Sequence, residues 1–373
     1  MAEPIERITT PAGDSAWHIT GHPEVKALLG DQRLGRAHPD PATAGRYSAD
    51  DIAGRPAGGS ETEYSEHAWW RKAMNKVFSP AGLERWTPAV EKIARQVAGQ
   101  LALRPTPADL NDAYSTPLAS QVMCTVLGVP TSDIERFREW TEEGAQATDL
   151  ERSLGGIRLL MSYARDLVTQ RRGRDGNDII SVLLAAGTGP PGIHEGRVVK
   201  LVAGMLAFGR ETPASVIDSG ALLLLTHPEQ RRLLQDEPSL MPRAVEEILR
   251  HFKPPAATDK GLLRYAHEDL EASGNAIRAG DMVLLDLMAA NHDRDVFPEP
   301  GRFIVDREPN PHLTFGHGFY MCNFTRLARA EIGIALGTLL EQFPDLDLAA
   351  PPSQLQLKSH LRTGGLERLP VTW

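Results

Sequence analysis

Cysteine is scarce in this chain of 373 residues: Cys124 and Cys322 are too few for a disulfide framework or a four-cysteine zinc site. Long hydrophobic runs are also lacking. The most apolar stretch, LVAGMLAFG at 201–209, is far shorter than the roughly 20 residues that cross a bilayer. The opening residues MAEPIERITT carry acids and a base instead of the apolar core of a signal peptide. These absences predict a cytoplasmic protein with no membrane anchor.

An excess of positive charge is missing too. The formal net charge is -9, and no basic stripe suggests a nucleic-acid partner. The sequence has no H-E-x-x-H, no P-loop, no dinucleotide-binding G-x-G-x-x-G after a strand and no G-x-S-x-G, and its twelve histidines are scattered. With 41% hydrophobic and 24% charged residues, no internal repeat and no long polar linker, the chain is predicted to form a single globular domain over 1–373.

Apolar residues recur at helical spacing through most of the chain. Three such sets are Ile93, Val97 and Leu101; Leu201, Met205 and Phe208; and Ala328, Ile332, Leu336 and Leu340. Short strands are predicted at 16–19, at 369–372, and within 262–287, where Ser273-Gly274-Asn275 offers a turn. The predicted fold class is therefore mainly α with minor β, the strands lying at one edge of a helix-rich body.

The stretch FGHGFYMCNFTRLARAE at 315–331 places Cys322 just before a helix predicted to begin near Thr325. Free N–H groups and the dipole at a helix start favour a thiolate. Gly316 and Gly318 allow the chain to fold tightly and to approach a flat ligand. A lone cysteine is more often a small buried hydrophobe. That is our interpretation of Cys124, and on these residues alone it stays open for Cys322.

The pattern around Cys322 closely resembles the cysteine-ligand loop of the cytochrome P450 superfamily, the haem-thiolate monooxygenases. The matching residues are Phe315, Gly316, Gly318 and Cys322, followed by Leu327-Ala328-Arg329. The resemblance implies the cytochrome P450 fold and a haem b cofactor (iron protoporphyrin IX) with Cys322 as the metal ligand. In that family the thiolate pushes electron density that favours O–O cleavage.

The resemblance also implies a structural charge network. Glu247-Ile248-Leu249-Arg250 matches the family's E-x-x-R pair, whose side chains share a helix face. The segment FPEPGRF at 297–303 is similar to the family segment whose arginine, here Arg302, completes a buried network behind the haem. We interpret these three charged residues as structural rather than catalytic.

Further matches imply residues that bind the haem propionates. His67 and Arg71 fit the family's H-x-x-x-R, and residues four apart on a helix face the same way. Arg264 and His312 fall where the family places additional propionate contacts. Without the other motifs, His67 and Arg71 would equally suit a solvated helix face.

On the oxygen side, AFGRETPAS at 207–215 resembles the family's distal-helix signature within a long helix predicted over 198–225. The resemblance implies that Gly209 leaves room for dioxygen, that the Thr212 hydroxyl and an ordered water deliver protons, and that Glu211 connects them to solvent. Pro213 has no N–H to donate to the carbonyl of Gly209, so the helix is predicted to open there. The alternative is an ordinary kinked core helix.

Two residues depart from the family pattern within 315–324, which we name the cysteine loop. Tyr320 stands where the family usually has a histidine or arginine that binds a propionate, and a phenol offers one hydrogen bond without charge. Phe324 stands where the family usually has glycine, and its ring must be accommodated beside the haem or away from it.

No flavin or reductase segment is visible, so electrons are expected from NAD(P)H through a ferredoxin reductase and a ferredoxin. A basic patch is the expected docking site. Its residues are Arg71, Lys72, Lys76, Arg326 and Arg329. Substrate selection is expected from segments over the distal face, the first of them a mobile lid rich in glycine and proline. These positions are 39–65, 141–161, Met205, Ala207, Phe208, 254–258 and 363–367.

The expected activity is a natural-product tailoring step on a small molecule, with hydroxylation, epoxidation, or oxidative C–C or C–N coupling of an aromatic or peptide-like scaffold all open. Two alternatives remain. One is an oxidase that couples radicals without inserting oxygen, which the altered cysteine loop and Pro213 would permit. The other is a haem-free family member that acts as a binding or activating partner of another enzyme.

Overall fold

The computed structural model describes residues 4–49, 54–146, 148–186, 195–253, 258–358 and 365–373, and the side chain of Phe208 lies outside this description. Thirteen α-helices lie within these residues: α1 His22–Gly30, α2 Glu63–Val77, α3 Pro80–Ala102, α4 Thr116–Leu127, α5 Ile134–Gly144, α6 Leu150–Arg171, α7 Ile179–Ala185, α8 Glu195–Phe208, α9 Glu211–Thr226, α10 Pro228–Asp236, α11 Met241–His251, α12 Leu287–Asn291 and α13 Thr325–Gln342. The same residues contain ten strands: β1 Ile5–Thr9, β2 Ser15–Ile19, β3 Leu34–Gly35, β4 Ala108–Asp109, β5 Leu262–Ala266, β6 Leu270–Ala272, β7 Asn275–Ile277, β8 Met282–Leu285, β9 Asp347–Leu348 and β10 Pro370–Thr372. The prediction of a mainly α protein with minor β is confirmed.

The helices form where the apolar spacing predicted them. In α3, Ser79 caps the first turn by accepting from the Gly82 N–H (3.1 Å), and Val90, Val97 and Leu101 lie on the buried face. Helix α13 begins at Thr325, as predicted, and packs against α3, α9 and α11. The helix that follows the cysteine loop is therefore central to the helical body.

The strands form a small layer beside the helices. Five of them make one sheet in the order β1-β2-β8-β5-β3, in which β2 and β8 are parallel and the other neighbours are antiparallel. Ser273 and Gly274, with φ angles of 44° and 79°, make the predicted turn between β6 and β7. The strands predicted at 16–19, 262–287 and 369–372 are confirmed, and β5 brings Arg264 to the edge of the helical body.

The main core lies among the helices. It contains fully buried side chains from distant parts of the chain, among them Met74, Tyr114, Ile248 and Leu336. A second buried cluster lies where α1 and α12 cover the five-stranded sheet. Within the described residues, no helix is both long and apolar enough to cross a membrane.

One of the predicted substrate segments is anchored rather than free. In the segment 39–65, Tyr47 is buried, its hydroxyl contacts Asp259, and its N–H donates to the carbonyl of Gly54 (2.9 Å). The mobile lid predicted there is therefore tied down at Tyr47. Residues 50–53, 147, 254–257 and 363–364 of the predicted substrate segments lie outside the described residues.

Candidate active site

Two glycines shape the cysteine loop. Gly316 and Gly318 have φ angles of +74° and +69°, a region that glycine enters without strain. A β-carbon on Gly318 would lie 2.7 Å from Cα of Gly30, so the loop packs directly on the backbone at the end of α1. The N–H of Cys322 donates to the carbonyl of Phe315 (2.9 Å) and closes the loop. The tight turn predicted from these glycines is confirmed.

The thiol of Cys322 is half-buried at the end of this loop. Burial raises its pKa, although the Phe324 N–H donates to the sulfur and the Arg329 guanidinium favours the thiolate. A coordinated metal cation removes the proton of a thiol outright. The environment of Cys322 therefore suits a metal ligand better than a free nucleophile, which needs a lowered pKa.

The ring of Phe324 packs against the region where α2 ends. Its centroid lies 4.8 Å from that of Phe78 and 6.4 Å from that of Trp70. The backbone of Phe324 has a φ of −90°, which any residue adopts, so glycine is not required at this position. Aromatic packing thus accommodates the departure, and α13 still begins at Thr325.

Two side chains of α2 face the cysteine loop. Nε2 of His67 donates to the carbonyl of Phe319 (3.0 Å), and Nη1 of Arg71 donates to the carbonyls of Phe319 (2.6 Å) and Met321 (3.3 Å). Burial, together with the nearby Arg36 and Arg71 charges, lowers the pKa of His67 to about 4. His67 is therefore neutral at physiological pH, while Arg71 brings a positive charge to the loop.

Tyr320 stands among charged side chains. Its hydroxyl shares a hydrogen bond with Glu63, and burial together with this carboxylate raises the pKa of the phenol. The Cζ atoms of Arg36 and Arg264 lie 4.9 and 5.6 Å from the centre of its ring. Arg264 is buried, donates from Nη1 to the carbonyl of Leu263 (2.8 Å), and has its pKa lowered to about 10 by burial and by Arg36. Two cations thus gather around Tyr320.

His312 lies elsewhere than expected. Its Nε2 pairs with Glu246 (3.0 Å) and its Nδ1 accepts from the Thr314 N–H (3.2 Å), so both ring nitrogens are engaged. Arg329, which also lies over the ring of Phe315, completes the pair with Glu246 (2.6 and 2.8 Å). Burial opposes ionisation of Glu246, but His312 and Arg329 outweigh it and lower its pKa to about 2. His312 serves this ion-pair cluster instead of the propionate contact that the resemblance implied.

The buried charge network uses a different arginine from the predicted one. Glu247, fully buried, accepts from Nε of Arg250 (2.8 Å) and Nε of Arg307 (3.1 Å). The side chain of Arg302 instead points outward to Glu299, and only its carbonyl joins the network, accepting from Arg250 (3.1 Å). The assignment of Arg302 to the buried network is therefore wrong. The turn at this segment presents a backbone oxygen, and the later arginine returns to the carboxylate.

The predicted distal helix is interrupted. Helix α8 ends before Gly209, and α9 begins after Arg210. The carbonyl of Arg210 accepts from the N–H of Ala214 (3.3 Å), whereas Pro213 has no N–H to offer the carbonyl of Gly209. The opening predicted from Pro213 is confirmed.

Close packing accounts for the glycine at position 209. A β-carbon there would lie 2.5 Å from the carbonyl oxygen of Met205 and 3.3 Å from Sδ of Met123. The turn and the packing of Met123 therefore require glycine at this position. That Gly209 also leaves room for dioxygen stays a prediction.

A buried ion pair follows this turn. Arg210 is 1% exposed, pairs with Glu211 and lies 3.9 Å from Glu142, and its Nε has no partner among the described residues. Glu211 lines a polar cavity of about 550 Å³ that reaches the exposed Asp112. The half-buried Thr212 hydroxyl has no hydrogen-bond partner within the described part of the chain. An acid, a hydroxyl and a polar cavity therefore lie together at the start of α9.

Several site residues escaped the sequence prediction: Arg36, Glu63, Arg210, Glu246 and Arg307. A visible signal existed for Arg210, because it precedes Glu211 in an otherwise apolar stretch. For Arg36 and Glu63 no local signal existed, since their partners lie far along the chain.

The arrangement fits an iron porphyrin. Cys322 offers one thiol, and beside it Arg36, Arg71 and Arg264 bring three guanidinium groups. In the described part of the chain, Glu63 is the one carboxylate that forms an ion pair with these arginines. Two positive charges remain, which the two propionates of a haem would neutralise.

Comparison with known proteins gives one consistent answer. The family model described as Cytochrome P450 matches residues 159–358. Pentalenolactone synthase of Streptomyces exfoliatus is 37% identical and aligns with 99% of this chain and 93% of its own length. The solved structure of PimD, a polyene macrolide antibiotic pimaricin epoxidase, is similar with a TM-score of 0.86 at 36% identity, covering 99% of this chain and 93% of PimD. That of SgvP, a putative thioether synthase in the tailoring of griseoviridin, has a TM-score of 0.89 at 30% identity, covering 100% and 94%. The chain therefore belongs to the cytochrome P450 family of haem-thiolate monooxygenases.

Proposed function

We propose that this enzyme hydroxylates or epoxidises a small organic molecule in a natural-product tailoring step, as one domain that receives electrons from NAD(P)H through a ferredoxin reductase and a ferredoxin. The observation that carries the proposal is a lone thiol held by the cysteine loop beside unbalanced guanidinium groups. Support comes from relatives whose names describe an antibiotic epoxidase and a synthase. When bound, the haem would supply the chemistry of dioxygen activation, and the Cys322 thiolate would bind its iron.

Residues of this chain would hold the cofactor by its iron and by its propionates. Cys322 would provide the sulfur that binds the iron, and the left-handed turns at Gly316 and Gly318 allow the loop to approach a flat ring. Arg71 and Arg264 would bind propionates by charge-assisted hydrogen bonds. Both ring nitrogens of neutral His67 are engaged, with the carbonyl of Phe319 and with Arg36, so His67 would hold the cysteine loop instead of the predicted propionate.

The start of α9 supplies protons. The polar cavity brings water to Glu211, whose carboxylate is held by Arg210. The neighbouring Thr212 hydroxyl, without a partner among the described residues, is available to donate a proton at Oγ1. Arg210 therefore acts as a positioning residue for the acid in this relay.

Electron delivery uses a smaller basic surface than the sequence suggested. Arg71 is engaged with the cysteine loop and Arg329 with Glu246, whereas Lys72, Lys76 and Arg326 remain exposed. We name these three exposed residues the basic surface. An acidic ferredoxin docking here would lie close to the helix that follows Cys322.

The first test is the absorption spectrum of the reduced protein with carbon monoxide. A strongly red-shifted Soret band in the wild type and its loss in Cys322→Ala would support the proposal. A haem spectrum without that shift would contradict thiolate ligation. Failure to bind haem after reconstitution would contradict the enzyme proposal and favour the haem-free partner.

A second candidate is oxidative coupling without oxygen insertion, because the similar protein SgvP is named a putative thioether synthase. Turnover under labelled dioxygen separates the two once a substrate is in hand. Label in the product supports hydroxylation or epoxidation, whereas a coupled product without label supports the second candidate.

A further inference from the structure

Tyr320 does not reproduce the cation that most family members have two residues before the cysteine. Its hydroxyl is committed to Glu63. Glu63 is itself held by the backbone N–H groups of Arg36 (2.8 Å) and Ala37 (2.9 Å). The phenol is thus part of a loop anchor, and the positive charge usual at its position is absent from the cysteine loop.

Arg36 brings a positive charge to the same place from a distant part of the chain. Its Cζ lies 4.9 Å from the centre of the Tyr320 ring. Its Nη2 donates to Nδ1 of His67 (3.2 Å), and its Nε lies 3.6 Å from Glu63. Because Nδ1 of His67 accepts, the His67 proton is on Nε2, which points to the cysteine loop. Arg36 therefore fixes the tautomer of His67 and lies beside the ring of Tyr320.

The positive charges around Tyr320 favour the binding of an anion. Arg36 and the buried Arg264 both approach the ring, and Arg36 contributes to the lowered pKa of Arg264. Like charges repel, and an anion that binds between or beside them offsets this repulsion. One carboxylate, Glu63, does not balance the three guanidinium groups of Arg36, Arg71 and Arg264. Of these, Arg36 has about half of its side chain exposed and can therefore take a further partner.

We propose that Arg36 binds a haem propionate and replaces the cation that is missing at Tyr320. This inference rests on the proposed haem-dependent function. The hydroxyl of Tyr320 holds Glu63, and Glu63 holds the backbone at Arg36. The Arg36 guanidinium, which lies near the Tyr320 ring as Arg264 does, is thereby presented to a carboxylate.

The test is the rate at which the haem-loaded protein loses its haem to excess apomyoglobin. Arg36→Gln is expected to raise this rate about fivefold to tenfold, since a partly exposed charged hydrogen bond is lost. Arg33→Gln is the matched control. It removes an exposed guanidinium, paired with Asp31, from the same segment and should change the rate less than about twofold.

A second substitution tests the compensation itself. If Arg36 replaces the missing cation, Tyr320→His should reduce the effect of Arg36→Gln, so that the double variant loses haem within about twofold of Tyr320→His alone. The backbone bonds from Arg36 to Glu63 do not depend on the Arg36 side chain, so the loop should persist in Arg36→Gln, and its unfolding temperature without haem checks this.

These experiments distinguish a failure of the Arg36 proposal from a failure of the proposed function. Equal haem loss in wild type, Arg36→Gln and Arg33→Gln would overturn the role of Arg36 while leaving the proposed function intact. The role of Arg36 would also be overturned if Arg36→Gln raised the rate of haem loss by the same factor whether position 320 is tyrosine or histidine. A wild-type protein that never takes up haem would instead overturn the proposed function.

Discussion

At the scale of single residues, Arg307 and Arg302 both lie near Glu247, but only the side chain of the buried one binds its carboxylate. Arg307 is 6% exposed in its side chain and bonds to a fully buried carboxylate, whereas Arg302 is 64% exposed and pairs at the surface. Burial opposes ionisation of Glu247, but Arg250, His251 and Arg307 outweigh it and lower its pKa to about 2, with Arg250 the largest favourable contribution. A buried carboxylate of this kind depends on every one of its cations.

We expect Arg307→Gln to lower the free energy of unfolding by about 3 kcal/mol, because it leaves Glu247 buried without one of its cations. Arg302→Gln, the matched control, should cost less than about 0.5 kcal/mol, since its surface ion pair is screened by water. Denaturant unfolding of both variants measures the difference. Equal losses would contradict the assignment of Arg307.

Glu331 on α13 is a buried acid outside the network. It is 3% exposed, its Oε1 has no partner among the described residues, and burial raises its pKa to about 8. Its value in the unfolded chain is near 4.5, so the folded state keeps a proton that the unfolded state releases. The contribution of Glu331 to stability is therefore intact below about pH 4.5 and is lost as the pH rises toward 8.

Glu331→Gln should consequently stabilise the protein more at pH 8 than at pH 5, by about 3 kcal/mol, because glutamine cannot ionise. Denaturant unfolding at the two pH values measures this. Glu341 is exposed on the same helix, so Glu341→Gln should change the free energy of unfolding equally at pH 5 and pH 8. A pH-independent effect of Glu331→Gln would mean that the carboxyl is ionised in the folded protein.

At the scale of elements, the break between α8 and α9 joins two local causes. Pro213 removes a helical donor, and Gly209 permits a turn whose neighbours leave no room for a β-carbon. The turn brings Arg210 and Glu211 into one buried pair beside the polar cavity. The interruption between α8 and α9 thus positions Glu211, the acid of the proposed proton relay, beside the polar cavity.

Gly209→Ala is expected to lower the free energy of unfolding by about 1–3 kcal/mol, since its methyl group would meet Met205 and Met123. Gly204→Ala, inside α8, should instead raise it by about 0.5–1 kcal/mol, because nothing lies within 4 Å of the place its methyl group would take. Thermal unfolding compares the two. A stabilising Gly209→Ala would show that the turn is an ordinary helical segment.

At the scale of the whole molecule, an acidic chain of net charge -9 has a local surface of opposite sign. The basic surface of Lys72, Lys76 and Arg326 lies on α2 and α13, two of the helices that adjoin the cysteine loop. Local charge, rather than the total, steers an acidic partner.

Reversing these three charges to glutamate should reduce the second-order rate of reduction by ferredoxin at least about tenfold and weaken its dependence on salt. Stopped-flow reduction measures both. The control reverses three other exposed lysines, Lys92, Lys200 and Lys260, and changes the net charge by the same amount. If both triple variants slow equally, the total charge controls the encounter.

The sequence by itself determined the helices, most of the sheet and the family, because these depend on short-range features. Apolar spacing predicted α3 and α13, alternation and a turn predicted β5 to β8, and the missing donor of Pro213 predicted the interruption before α9. The ligand interpretation of Cys322 came from the resemblance of its loop to the cytochrome P450 pattern, since the neighbouring glycines and the following helix alone left it open.

Only the tertiary structure decided which charged side chains meet. Arg307 rather than Arg302 enters the buried network, His312 turns to Glu246, and Arg36 comes to the Tyr320 ring. Each outcome depends on distances between segments far apart in the chain and on the water that burial removes. A charge is visible in the sequence, but its partner and its dielectric surroundings exist only once the chain has folded.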